Sequence, residues 1–186
     1  IEITDRNKLK SLKITSVKDG TTTLPTYFLH NCKSLQTLDI SGLKDLTAIP
    51  GQFILECTAL KTIDLSKLTK VTSIGGSFMK NDNALTNIKF PTSSLVTSIG
   101  YDFLSSCSKL TWIDFSGFTL LTTITSDSSN GGFLYNCSSL TRIDLPDNTP
   151  PTVNNAANYF MKNVKTDTPM YDRSELVDLN IETDPC

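Results

Sequence analysis

With 186 residues, the chain is long enough for one sizeable core and too short for two comfortable ones, so a single domain over 1–186 is expected. A net charge of −2 with no local Lys/Arg cluster argues against a nucleic-acid face. No run approaches the roughly 18 apolar residues that span a bilayer, so membrane insertion by this segment is not expected.

The first residues, Ile1 to Arg6, lack the basic-then-apolar pattern of a secretion signal, and a chain opening on Ile1 rather than Met reads as a processed or trimmed product. The first strand-like stretch, Leu9-Lys10-Ser11-Leu12-Lys13-Ile14, has a spacing that then recurs. Phe28, Phe53, Phe78, Phe103 and Phe133 open units of 25, 25, 25, 30 and 27 residues, and Phe160 opens another. Units therefore start near 2, 28, 53, 78, 103, 133 and 160. Four residues after each Phe stands Cys32, Cys57, Asp82, Cys107 or Cys137, and three further on Leu35, Leu60, Leu85, Leu110 or Leu140. The strand core follows as L-x-x-[IL]-x-[ILF], for example Ile63-Asp64-Leu65 and Ile113-Asp114-Phe115. A second apolar pair, Leu46/Ile49, Val71/Ile74, Val96/Ile99 and Leu121/Ile124, keeps its own spacing, with a Thr after the first member. "TPPTV" breaks that pattern in the fifth unit. The strand spacing returns at 176–181, giving about seven strands.

Self-similarity at this period has a physical reading. One 25-residue unit cannot bury its Phe, Leu and Ile alone, so like units stack and each covers its neighbour's apolar edge. Alternation places every second strand residue in the core and the intervening ones in solvent on a parallel sheet. The rest of each unit supplies the crossover that parallel strands require. Phe-x-x-x-Cys-x-x-Leu has the four-and-three spacing of a short helical or 3₁₀ turn, making the expected class α/β.

The frame resembles the BspA-type (Treponema pallidum-type) leucine-rich repeats of bacterial and protozoan surface proteins. "FLHNCKSLQTLDI", "FLSSCSKLTWIDF" and "FLYNCSSLTRIDLP" look like that family's F-x-x-C-x-x-L-x-x-I-x-[IL]-P, and "VTSIG" at 71–75 and 96–100 looks like its V-x-x-I-G. Here the units run about two residues longer than usual, the Ala before the Phe is absent, and Leu43, Leu68, Ser93 and Phe118 stand where other leucine-rich repeats carry an asparagine ladder. The resemblance implies an extended solenoid that binds proteins or host surfaces without catalytic machinery. The expected form is a right-handed solenoid with its parallel sheet on the concave face.

Catalytic candidates are few. His30 is the only histidine, no phosphate loop, H-E-x-x-H or C-x-x-C is present, and a packing or solvent-facing role outweighs a catalytic one. The four recurring cysteines sit beside Leu and Phe in a core frame, which favours small apolar thiols over disulfides, although strands about 4.8 Å apart bring neighbouring units within bonding range. Cys186 is incidental. Asp82, replacing a thiol, is expected to turn toward water, because burying an unpaired carboxylate costs several kcal/mol.

Recognition is expected on the outward strand residues. One column reads Ser11, Thr37, Thr62, Asn87, Trp112, Arg142 and Asp178, and its outlier is the only tryptophan, a residue type enriched with Arg at binding hot spots. Against that stands a local role, with Trp112 leaning on Arg142 as a cation–π pair. The neighbouring column, Lys13, Asp39, Asp64, Lys89, Asp114, Asp144 and Asn180, juxtaposes like charges that Lys13 and Lys89 partly offset. A solvated, self-neutralising face outweighs a bridging calcium there. Ser41, Ser66 and Ser116 add hydroxyls. Two insertions, 125–132 and 163–174, read as loops. The candidate ligand-binding set is Trp112, Arg142, Asn87, Asp114, Asp144, Lys89, Asp64 and Asp39. No cofactor or metal is implied. The expected role is a non-enzymatic, extracellular or cell-surface module binding a protein, such as a host surface or matrix protein, or a glycan. A structural spacer is the alternative.

Overall fold

A strand with Ile or Leu at alternate positions buries one face only when something covers it, and here the cover is the same strand one unit away. The computed structural model describes residues 5–125, 132–144 and 152–154, and in them the repeats are successive coils of a parallel β-solenoid. Numbered in chain order, the strands are β1 (Ser11–Lys13), β2 (Thr37–Asp39), β3 (Ala48–Ile49), β4 (Thr62–Asp64), β5 (Ser73–Ile74), β6 (Asn87–Lys89), β7 (Ser98–Ile99), β8 (Trp112–Asp114), β9 (Thr123–Thr125), β10 (Arg142–Asp144) and β11 (Thr152–Asn154).

The expected strand column appears as three parallel pairs, β1–β2, β4–β6 and β8–β10, which abut one another. Its register joins equivalent residues, such as Ile63 with Ile88 and Ile113 with Ile143. Ile63 and Ile113 face inward at 3% and 1% exposure, so a residue's place in its unit does fix whether it meets water. The stretch at 176–181, the 163–174 insertion, Phe160 and Cys186 lie outside the described residues, as does most of 125–132.

The second apolar pair proves to be a strand position in its own right. It builds a continuous five-stranded parallel sheet, β3-β5-β7-β9-β11, longer than any ladder of the first column. The fifth unit does not leave it. Val153 takes the place of Ile124 in the register, so the ladder survives "TPPTV". The threonines flanking this sheet form their own ladder, each donating both its N–H and its hydroxyl to the carbonyl of the Thr one coil before, from Thr47 on Thr22 to Thr122 on Thr97.

The expected α component is not seen. Among the described residues the only helices are 3₁₀ turns of three residues, Arg6–Lys8 and Ser41–Leu43. The Phe-to-Cys segment has helical spacing without helical dihedrals. The residues before Phe28, Phe53, Phe78 and Phe103, and the residue before each Cys position including that of Asp82, have positive φ, as at Gln52 (57°), Glu56 (63°), Ser77 (54°) and Asn81 (66°). These reversals turn the amides toward the next coil. Leu29 N–H donates to Phe53 O at 2.8 Å, Ile54 to Phe78 at 3.0 Å and Met79 to Phe103 at 3.1 Å. Bonding between coils replaces the i→i−4 bonding of a helix.

Packing follows the same arithmetic. Phe28, Phe53, Phe78, Phe103 and Phe133 form a continuous stack, with ring centroids 5.2–6.2 Å apart and interplanar angles of 17° or less. At one corner the backbones touch. A Cβ on Gly75 would lie 2.3 Å from Gly51 N, and one on Gly100 2.3 Å from Gly76 N, so only glycine permits this spacing. At the first coil, the Arg6 guanidinium donates from Nη1 to Tyr27 O, Phe28 O and His30 O at 3.2, 2.8 and 3.4 Å. Interior coils offer the matching carbonyls, Phe53 O and Leu55 O, to amides of the coil before. Arg6 thus satisfies an edge that would otherwise be bare.

Cys32, Cys57, Cys107 and Cys137 are free, buried thiols. Asp82 corrects the expectation. It is fully buried in the thiol column, because its neighbours are bonded to the coils on both sides, Glu56 N–H to Lys80 O and Asn81 N–H to Ser105 O, and Cys57 N–H donates to its Oδ1 at 2.6 Å. Turning it to solvent would break that stack.

Candidate functional site

The outward residues of the strand column are carried by three-residue strands whose central Ile or Leu is anchored in the core, which leaves the flanking side chains on the surface. Every residue of the candidate set is on this face: Asn87, Trp112 and Arg142 in one column, Asp39, Asp64, Lys89, Asp114 and Asp144 in the next. What they do there differs along the solenoid.

In the first coils the charges neutralise each other. Lys13 Nζ lies 3.8 Å from Asp39, and Lys89 Nζ 3.7 Å from Asp64, both exposed pairs. The aspartates also have a local task. Oδ1 of Asp39, Asp64 and Asp114 accepts the N–H of the serine two residues on, at 3.0, 2.8 and 2.8 Å. This Asx turn bends the chain out of each strand. The Ser41 N–H holds the Asp39 carboxyl below the usual range, with its hydroxyl adding to the effect. Recurrence of Asp-x-Ser is thus a turn signal before it is a binding signal.

Asp144 escapes that task. Two residues on stands Pro146, which has no N–H to give. Its carboxylate turns instead to the outward column, where Arg142 Nε donates to Oδ1 at 2.7 Å and Trp112 Nε1 donates to Oδ2 at 3.1 Å. The Arg142 guanidinium lies over the indole, 5.4 Å from its centroid. Arg142 chiefly, and the indole N–H secondarily, hold the Asp144 carboxyl below its usual range. Asp144 in turn raises the Arg142 pKa.

The cation–π pairing weighed against recognition is therefore present, yet it leaves Trp112 37% exposed. Two side chains, Arg142 and Asp144, hold the ring in one orientation with part of its surface still in water. Asp114, beside Asp144 in the register, forms no ion pair among the described residues. His30 meets Tyr27 edge-to-face at 5.4 Å, a packing contact. The sequence reading missed the bridging role of Asp144, for which Pro146 was the available signal. It also missed two exposed leucines, Leu95 and Leu120, one coil apart beside the second sheet.

Comparison with known proteins agrees with the geometry. The model of the BspA type leucine rich repeat region matches in six copies, over residues 5–111 and 70–169. Among solved structures, a leucine-rich repeat protein from Bacteroides ovatus is similar at a TM-score of 0.50 and 20% identity, a likeness of fold. The match covers 72% of this chain and 37% of that one, so this chain spans little more than a third of its neighbour's length. No curated protein matches the chain.

Proposed function

The chain belongs to the BspA-type leucine-rich repeat family, and from that premise we propose that it is a non-enzymatic binding module of a cell-surface or secreted protein, contacting a protein partner through its outward strand column around Trp112. One observation carries the reading: a large aromatic ring, partly exposed on a rigid sheet, is already held in place by Arg142 and Asp144. A ring fixed before contact loses little rotamer entropy on binding. Asn87 and Asp114 flank it with unspent polar capacity, and Lys89, Asp64 and Asp39 extend the polar rim. In this proposal the repeats form one domain over 1–186. Part of this proposal is that the coil takes the right hand that nearly all parallel β crossovers adopt, with the strand column on its concave face.

A spacer role is the second reading, favoured by the internal pairing of Lys13 with Asp39 and Lys89 with Asp64. Trp112→Ala separates the two. Against immobilised matrix proteins and glycans, a hot-spot ring predicts a roughly thirty-fold or greater loss of affinity for the protein bound. Affinity unchanged for every ligand captured would leave the spacer, and loss confined to a carbohydrate would make the ligand a glycan.

A further inference from the structure

The thiol column is a hydrogen-bond relay between coils, and one of its members is not a thiol. At each step the side chain does two things. It donates to a carbonyl of the coil before: Cys57 Sγ to Leu29 O at 3.1 Å, Cys107 to Met79 O at 3.1 Å, Cys137 to Leu104 O at 3.2 Å. It also accepts the backbone N–H of its counterpart in that coil, Cys32 for Cys57, Asp82 for Cys107 and Cys107 for Cys137. The position needs a donor and an acceptor at once, and a thiol is both.

Asp82 fills the third place. Its Oδ1 accepts Cys57 N–H at 2.6 Å, which is the acceptor half. Its Oδ2 is buried without a partner, and the carbonyl left over in the series is that of Ile54, one residue after Phe53 as Leu29, Met79 and Leu104 are one after theirs. A carboxylate has no proton for that carbonyl, whereas a carboxylic acid does. We propose that Asp82 stands in the stack as a neutral acid whose Oδ2–H donates to Ile54 O, making the joint between the second and third coils strongest in acid and weaker as the proton leaves.

The surroundings agree. Cys57 and Glu56 face the carboxyl from the coil before and Cys107 from the coil after, and none of these is a cation. Burial first, then the Glu56 charge, pushes Asp82 well above the usual carboxylate range, against the opposing pull of Cys57 N–H. A carboxyl with a folded pKa above its unfolded value, about 3.9, binds its proton more tightly in the folded chain. Its contribution is complete below about pH 4 and is lost as the pH climbs toward the folded pKa, by up to about tenfold in the folding equilibrium per pH unit.

Asp82→Asn supplies the test, since the amide keeps a carbonyl for Cys57 N–H and an N–H for Ile54 O but carries no titrating proton. In urea unfolding from pH 4 to 8, the wild-type folding constant should fall relative to the variant's by up to about tenfold per unit before levelling off. Parallel profiles would overturn the assignment. Infrared difference spectra of the wild type against the variant give a second readout. A protonated-carboxyl C=O band at neutral pH, absent from the variant, is expected. Should the variant fail to fold, the wild-type band alone decides: its presence supports the neutral acid and its absence refutes it.

Discussion

The interior phenylalanine stack and the outward strand column share one backbone and one period, yet they spend it differently. Inside, the same residue recurs in coil after coil, and Phe53, Phe78 and Phe103 are wholly buried. Outside, equivalent positions hold Thr37, Thr62, Asn87, Trp112 and Arg142. Repetition marks what every coil needs in order to stack, and departure from repetition marks what a single coil adds. The Trp112, Arg142 and Asp144 cluster is such a departure, and so is Asp82. One sits where solvent tolerates variation, the other where the stack must absorb it.

The contrast can be broken from the inside first. Phe78→Ala should cost about 3–5 kcal/mol, because it removes a ring in stacked contact with both neighbours and opens a cavity that those rings cannot close. Urea denaturation would show it, and an effect below about 1 kcal/mol would mean that the stack is not the spine of the fold. On the outside, Arg142→Ala should leave the denaturation midpoint little changed while altering the environment of Trp112. With one tryptophan in the chain, a red-shifted emission is expected once the guanidinium no longer covers the ring. An unshifted spectrum would mean that the cation–π contact does not persist in solution.

The inner half of this contrast was legible in the sequence because burial imposes a period. L-x-x-[IL]-x-[ILF] predicted the strand column and its register, and Ile63 and Ile113 face inward as that pattern requires. Two-residue strands such as β5 and β7 give no alternation to read, so the second sheet registered only as an apolar pair. The turn over Phe53 to Cys57 has the spacing of a helix and the dihedrals of something else. Asn31, Asn81 and Asn136, each just before the Cys position, were the available hint, since asparagine tolerates positive φ. Asp82 was misjudged because a carboxylate was assumed where a protonated acid would fill a thiol's hydrogen-bonding role. Residues in the outward columns could be placed on their face, but their partners could not. Asp39 and Asp144 occupy one column, and only the Ser41 N–H in one case and the N–H-less Pro146 in the other send their carboxylates different ways.

Register is the claim on which both halves depend, and the single tryptophan makes it directly measurable. In acrylamide quenching of the native protein, Trp112 should be clearly accessible, reaching a substantial fraction of its quenching in the unfolded chain. Native emission that the quencher does not reach would put the indole in the interior, and the outward column could not be a contact surface.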